Sequence, residues 1–300
     1  MCNKLRILAI AAVVVLLAAG CASDEGDDGR IKVVVSTTIL GDVVSNVVGD
    51  GADVEVLIPV GASPHDFIPS SRQVAAIHGA DLVVANGLGL EEGLGDVLAS
   101  AEAEGVNVLA IGPHLTPLAT TDGGGVDPHV WMDPVRMEEA AAAIAEALFL
   151  IDGNVAWGAH AEAYMAAMRS TDGAIAELLA GIPAERRKLV TNHDSLGYFA
   201  DRYGLEIVGT VIPTGSALGD PSSAALASLV EVIDRDQVPA IFAETSESQA
   251  LAEIIAAEAG RPVAVVELYT GSLGEPGSEA DTLVKILLLD AKRIAAALGS

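Results

Sequence analysis

Two sets of four short β-branched runs, each run separated from the next by a helical stretch, leave this chain few folds to choose from. The first set is Ile31–Val35, Val54–Ile58, Leu82–Ala85 and Asn107–Ala110. The second is Lys188–Thr191, Glu206–Gly209, Ala240–Ala243 and Val263–Leu268. Strands joined through helices run parallel, and parallel strands, covered on both faces, read as continuous apolar runs such as Val33-Val34-Val35. Between the sets lies Val155 to Gly181, about 27 residues and roughly 40 Å if wholly helical. Tyr164, Met168, Ile175 and Leu179 give it an apolar stripe, while Gly158 and Gly173 weaken it by about 1 kcal/mol each relative to Ala. The economical architecture is α/β: two lobes, each a four-stranded parallel sheet flanked by helices, joined by one long rigid helix. The lobes are expected at 31–151 and 186–300, with the linking helix at 155–181.

A chain of 300 residues that is 51% hydrophobic suits two such domains with sizeable cores. Further helices are expected at Gly41–Val48, after Ser70, at Glu91–Glu104, Glu138–Leu150, Leu196–Tyr203, from Pro221 to about Asp236, at Glu247–Ala259 and at Asp281–Leu298. Ser70 with Gln73 three residues on has the form of a capping box. His78-Gly79 marks the other end of that helix, where a histidine favours the C-terminal dipole. His78 is therefore read as structural, and His160, on the polar side of the long helix, as solvated.

The first thirty residues stand outside the fold. Lys4 and Arg6 precede an apolar run from Ile7 to Ala19, too short to span a bilayer comfortably, and Leu17-Ala18-Ala19-Gly20-Cys21 places small residues before a cysteine. The pattern resembles a bacterial lipoprotein signal at 1–20, with Cys21 lipidated and anchoring the chain to the outside of the cell membrane. Residues 21–30 then form a charged, glycine-containing tether. With Cys2 removed and Cys21 acylated, no disulfide remains possible. The 16 Lys and Arg against 42 Asp and Glu give a formal charge of −26. Such a field repels phosphate backbones, which excludes nucleic acid as a partner, and draws cations.

Three of the six histidines sit in loops bordered by turn residues and acids: Pro64-His65-Asp66, Pro128-His129-Val130 and Asn192-His193-Asp194. Each follows the carboxyl end of an expected parallel strand, where open α/β sheets place their ligands. His129 lies in Asp127-Pro128-His129-Val130-Trp131-Met132-Asp133-Pro134, whose two prolines bias the residues before them toward extended backbone. Three imidazoles converging from two lobes make a site for a divalent transition metal. Asp66, Asp133 and Asp194 are the acids expected to orient the rings.

The Pro-His-Asp-Phe loop, the Asp127–Pro134 box, Thr191-Asn-His-Asp-Ser-Leu-Gly-Tyr-Phe-Ala-Asp-Arg-Tyr-Gly-Leu205, Ile241-Phe-Ala-Glu-Thr245 and Leu268-Tyr-Thr-Gly-Ser-Leu-Gly274 together resemble one family. It is the zinc/manganese solute-binding lipoproteins of bacterial ABC importers, and the resemblance spans essentially the whole mature chain. It implies two α/β lobes bridged by a single helix, a metal between them, and His65, His129 and His193 as ligands. The family's fourth ligand is an Asp two residues after the Leu-Tyr pair; this chain has Gly271 there. Glu244, at the end of a strand facing the same cleft, is the candidate replacement, with a water or a merely cleft-lining Glu244 as the alternatives.

Imidazole-rich coordination favours Zn2+ over Mn2+, which prefers more oxygen ligands. In the family, manganese receptors commonly replace the third His by Glu, and His193 is retained here. The His-rich acidic loop of many zinc members is absent from Leu115–Val126, which keeps manganese open. The implied partner is the permease of an ABC metal importer, with the receptor acting as a monomer. Two rival classes are a three-histidine zinc enzyme, for which no motif supplies a general base, and a surface adhesin, which has no residue signature here.

Overall fold

The central strands are the most deeply buried, and their alternation sorts side chains between two packing layers. The computed structural model describes residues 29–120, 125–212 and 221–299. The expected signal segment, Cys21 and most of the tether lie outside the described residues. In the first half, β1 (Ile31–Val35), β2 (Ala52–Val56), β3 (Leu82–Ala85) and β4 (Val108–Ala110) form a sheet in the order β2-β1-β3-β4. In the second, β5 (Lys188–His193), β6 (Glu206–Ile212), β7 (Ala240–Glu244) and β8 (Ala264–Leu268) repeat it as β6-β5-β7-β8. Every pairing is parallel. The expected α/β class with two four-stranded parallel sheets flanked by helices is what the chain forms.

Among the described residues the α-helices are α1 (Thr38–Val48), α2 (Ser71–His78), α3 (Gly95–Ala103), α4 (Pro134–Asp152), α5 (Ala156–Leu179), α6 (Gly197–Tyr203), α7 (Ser223–Asp236), α8 (Ala250–Glu258) and α9 (Leu283–Gly299). Two bounds that differ from expectation are set by a cap. α1 starts earlier than Gly41 because Thr37 accepts from Leu40 N. α4 starts at Pro134 because Asp133 caps it, and ends at Gly153 in the left-handed region. The Ser70–Gln73 capping box is present in both directions. Glu91–Glu104 divides into a 3-10 turn at Glu92–Leu94 and α3.

Val33, Val35, Leu82 and Val84 point into one cluster, while Val34 and Val83 point into another with Leu57, Ile77 and Leu94. The second sheet does the same: Leu189, Ala240 and Phe242 face the first cluster, and Val190, Ile241 and Ala243 face a third with Leu229, Ile233 and Ile255. This is the period-two alternation of a strand buried on both faces. Its consequence departs from a picture of two separate cores. The inner faces of both sheets share a single cluster with side chains of α1, α4, α5 and α9, and residues Ile31–Ser300 form one compact unit. α5 presents Trp157, Ala161, Tyr164, Met168, Thr171, Ile175 and Leu179 to that cluster and packs on α1, α4 and α9. Its exposed His160 is not simply solvated: Nδ1 lies 3.0 Å from the Val47 carbonyl, one of the orphan acceptors at the end of α1. His78 pairs with Glu104 at 3.0 Å, as befits a structural residue.

One buried carboxyl group sits in this shared layer. Asp290, on the inward face of α9, is fully buried and accepts from Tyr269 N at 3.1 Å, fastening the chain just after β8. Burial pushes its carboxyl up from 3.8 to about 8. In the unfolded chain the group ionises near 4, so between pH 4 and 8 the folded state alone holds the proton. Stability from this group is therefore complete below pH 4 and is lost as pH rises toward 8. Asp290→Asn, which keeps the acceptor for Tyr269 N and cannot ionise, is expected to melt with the wild type near pH 4. At pH 8 it should be the more stable by a few kcal/mol, of the order the linkage gives. Thermal melts across that range check it, and parallel curves would show Asp290 to be ionised throughout.

Candidate metal centre

At the carboxyl edge of each sheet the strand order reverses between its two central strands, leaving a crevice. In the second sheet the crevice is flanked by His193, the last residue of β5, and Glu244, the last of β7. The two strand ends are tied by Glu244 N donating to Asn192 Oδ1 at 2.9 Å. In the first sheet the crevice holds Glu91, a buried carboxylate that accepts from Ser36 Oγ at 2.6 Å, Asn86 N at 2.7 Å and Gly87 N at 3.0 Å. Burial raises the Glu91 carboxyl, against the pull of these donors. Asn86, so fixed at the end of β3, donates Nδ2 to the Pro128 carbonyl at 2.9 Å and thereby sets the His129 loop. Tyr198 of α6 holds the other side of that loop, its hydroxyl donating to the Asp127 carbonyl at 2.7 Å. His65 lies in the loop after β2, whose start runs beside β1 through Leu57 N to Val35 O and Ile58 N to Ser36 O, both 2.9 Å.

These loops bring the three imidazoles to one point. His65, His129 and His193 are 4%, 1% and 1% exposed, and one ligand nitrogen from each lies within 4.8 Å of the others. His129 Nε2 is 3.4 Å from His65 Nε2 and 3.1 Å from His193 Nε2. Nitrogens bound tetrahedrally at ~2.0–2.1 Å from one zinc ion stand ~3.3–3.4 Å apart, so these two separations lie close to those of a coordination shell. Burial, reinforced by the charge a protonated His129 and His193 would add, holds His65 down at about 3. Burial and His129 do the same to His193, also to about 3. Both rings are thus neutral imidazoles at physiological pH, the form that binds a metal.

The acid that orients an imidazole is Asp127, not one of the three expected acids. Its Oδ1 accepts from His129 N at 2.9 Å and lies 2.7 Å from His129 Nδ1, so the carboxylate keeps the proton on Nδ1 and leaves Nε2 to the cluster. The Asp-Pro-His order was the available signal, since Pro128 restricts the backbone between acid and ring. Gly197 makes room for it: a Cβ there would meet Asp127 Oδ2 at 2.3 Å. None of the three acids expected in this role shows a bond to an imidazole among the described contacts. Asp133 caps α4 through Val135 N at 2.9 Å and pairs with Arg136 at 3.4 Å and Arg202 at 3.3 Å. Asp66 is exposed. Asp194 is buried, but the buried Nδ1 of its neighbour His193 has no hydrogen-bond partner.

Glu244 is 4% exposed, and its charge acts on His65. Its Oε2 accepts from Thr270 Oγ1 at 2.7 Å and its Oε1 from Ser246 Oγ at 2.5 Å. A Cβ at Gly271 would meet Glu244 Oε1 at 2.0 Å, so the carboxylate occupies the space a side chain at position 271 would need.

Comparisons with known proteins agree with this geometry. Residues 33–297 match the model of a family described as zinc-uptake complex component A, periplasmic. The manganese-binding lipoprotein MntA of Halalkalibacterium halodurans is 30% identical over 281 residues, 92% of this chain and 92% of its own. The iron-binding protein YfeA of Yersinia pestis is 30% identical over 275 residues, 90% of this chain and 87% of its own. Among solved structures, the periplasmic zinc-binding protein TroA of Treponema pallidum superposes with a TM-score of 0.83 at 28% identity, over 91% of this chain and 100% of that one. Two parallel sheets, three imidazoles spaced as a coordination shell and a family match from β1 to α9 converge on one conclusion: the chain belongs to the periplasmic zinc-uptake component A family of metal-binding proteins.

Proposed function

We propose that the chain is an extracytoplasmic receptor that captures a divalent transition metal and delivers it to the permease of an ABC importer. The observation that carries this is the pair of Nε2 separations, 3.1 and 3.4 Å, in a buried cluster of three imidazoles. An uptake component binds and hands on its cargo; the chain is not an enzyme. Zinc is the metal its donors favour, since imidazole suits zinc and manganese prefers oxygen. A manganese reading has its own support in Glu244, a buried carboxylate whose charge acts on His65, and in MntA, a relative named for manganese. His65, His129 and His193 are the ligands, with Glu244 as the fourth in place of the side chain Gly271 lacks. Residues 31–151 and 186–300 act as the two lobes about the helix at 155–181, as a monomer. Elemental analysis and competitive titration of the metal-free mature protein test this. One Zn2+ per chain, bound more tightly than Mn2+, is expected; a chain that retains no transition metal overturns it.

Cys21 is the proposed lipid attachment that keeps the receptor at the membrane, a reading the names of lipoprotein relatives favour. No helix among the described residues is long and apolar enough to cross a membrane. Cys21→Ser is expected to move the protein from the membrane fraction to the soluble fraction of a lipoprotein-processing host with its melting curve unchanged. Stable anchoring needs more than one acyl chain, so partial release would indicate incomplete processing rather than a different anchor. A wild type found wholly in the soluble fraction would remove Cys21 from this role.

A further inference from the structure

Resting on the metal-receptor reading, we infer that the Thr270–Ser272 loop, whose central Gly271 gives no ligand, positions the metal centre through its two hydroxyls. Thr270 sets Glu244 and the segment bearing His193, and Ser272 sets the loop bearing His65. Every arm of the site meets this loop. Thr270 Oγ1 donates to Glu244 Oε2 at 2.7 Å and accepts from Ser195 Oγ, two residues past His193, at 3.1 Å. The Thr270 carbonyl accepts from Trp131 Nε1, two residues past His129, at 2.8 Å. Ser272 Oγ accepts from Gly61 N, four residues before His65, at 2.9 Å. It also lies 3.3 Å from Thr38 Oγ1, which accepts from Leu273 N at 3.0 Å. Thr270 and Ser272 are each 2% exposed, and the chain just before them is fastened to α9 by Tyr269 N and Asp290.

A hydroxyl donates and accepts at once, so one such group links two neighbours that could not bond each other. Thr270 does this between Ser195 and Glu244. In a buried network the links strengthen one another, and removing one leaves its neighbours short of a partner. Four segments remote in sequence, ending in His65, His129, His193 and Glu244, are thereby referred to one three-residue strut. The loop has no side chain at 271 to bind metal, yet it sets where the metal-binding groups stand. Thr270 and Ser272 are positioning residues.

Thr270→Val keeps the shape and removes the hydroxyl, while Thr270→Ser keeps the hydroxyl and removes a methyl. Zn2+ affinity is read by chelator competition, and coordination geometry by the visible spectrum of the Co2+-loaded protein, which a loss of stability alone would not alter. Thr270→Val is expected to bind Zn2+ ten- to hundredfold more weakly, the usual effect of losing a group that orients ligands, with an altered Co2+ spectrum. Thr270→Ser should return both to wild-type behaviour. Should Thr270→Val fail to fold, Ser272→Ala, which takes the acceptor from Gly61 N, is expected to weaken Zn2+ about tenfold and change the spectrum. Wild-type affinity and spectrum in the folded variants overturn the inference, as does a Thr270→Ser as weak as Thr270→Val, since volume rather than the hydroxyl would then matter. A wild type that takes up no metal overturns the receptor reading itself; one that binds while the variants match it overturns only the strut.

Discussion

His129→Ala is expected to lower Zn2+ affinity by about a thousandfold or more, while His78→Ala and His160→Ala bind as the wild type does. His129 is the middle of the cluster, with the Nε2 atoms of His65 and His193 at 3.4 and 3.1 Å from its own. Losing it removes a donor outright and leaves two imidazoles to share an ion that needs four partners. That loss exceeds the ~10–100-fold typical of groups that only orient ligands, and a thousandfold corresponds to about 4 kcal/mol. The substitution also leaves the Asp127 carboxylate buried beside a void, so melting of the metal-free protein must be followed in parallel. His78 and His160 share the residue type but bond Glu104 and the Val47 carbonyl, well away from the cluster. Competition with a chromophoric chelator decides it, and equal affinities for all three variants would falsify the ligand assignment.

The second large effect is expected at the pair Glu244 and Gly271. Glu244→Gln should weaken Zn2+ more than tenfold, because the carboxylate puts negative charge beside a dication in a buried site, where fields are poorly screened. Gly271→Asp should act in the opposite sense, and most for Mn2+, by adding an oxygen donor. The backbone at Gly271 lies outside the left-handed region, so a side chain is not excluded by conformation. The obstacle is occupancy: the new Cβ would meet Glu244 Oε1 at 2.0 Å and Ser246 Oγ at 2.7 Å. Both are far ends of flexible side chains, so the aspartate is expected to displace Glu244 rather than unfold the site. The Mn2+/Zn2+ affinity ratio should therefore rise in Gly271→Asp above that of the wild type. Zinc binding unchanged in Glu244→Gln would remove Glu244 from the shell, and a normally folded Gly271→Asp with an unchanged ratio would show that position 271 does not face the metal.

How the site is supported bears on both experiments. His65 and His129 come from loops and His193 from the last residue of β5, and buried carboxyl groups help to hold the surroundings: Glu91 for the His129 loop through Asn86, Asp127 for the His129 ring, Asp290 for the loop beside Glu244. Each is costly to bury alone; Glu91 accepts from Ser36 and Asp290 from Tyr269, groups remote in sequence, while Asp127 accepts from His129 two residues on, so part of the geometry is local and part depends on the whole fold.

Local chemistry determined the elements. Apolar runs such as Leu82–Ala85 and Ala240–Ala243 became central strands because only a doubly covered parallel strand buries every side chain. Ser70 with Gln73 started a helix where the capping box said it would. The three clustered histidines were legible for a related reason, each standing at or after a strand's carboxyl end beside proline or asparagine. Tertiary structure decided everything that depends on which distant groups meet. A strand's alternation says that it has two faces, not that the inner faces of both sheets share one core with α1, α4, α5 and α9. An aspartate beside a histidine in sequence does not orient its ring unless the backbone turns it there, so Asp127 took the role that Asp66, Asp133 and Asp194 were expected to fill. Asp290, within a Leu-rich helix, carries no mark of burial in the sequence, and the docking of α9 against β8 accompanies its burial. Patterns of hydrophobicity and capping act over a few residues and are written in the chain; hydrogen-bond partners in a buried site are chosen by packing, which no short stretch of sequence contains.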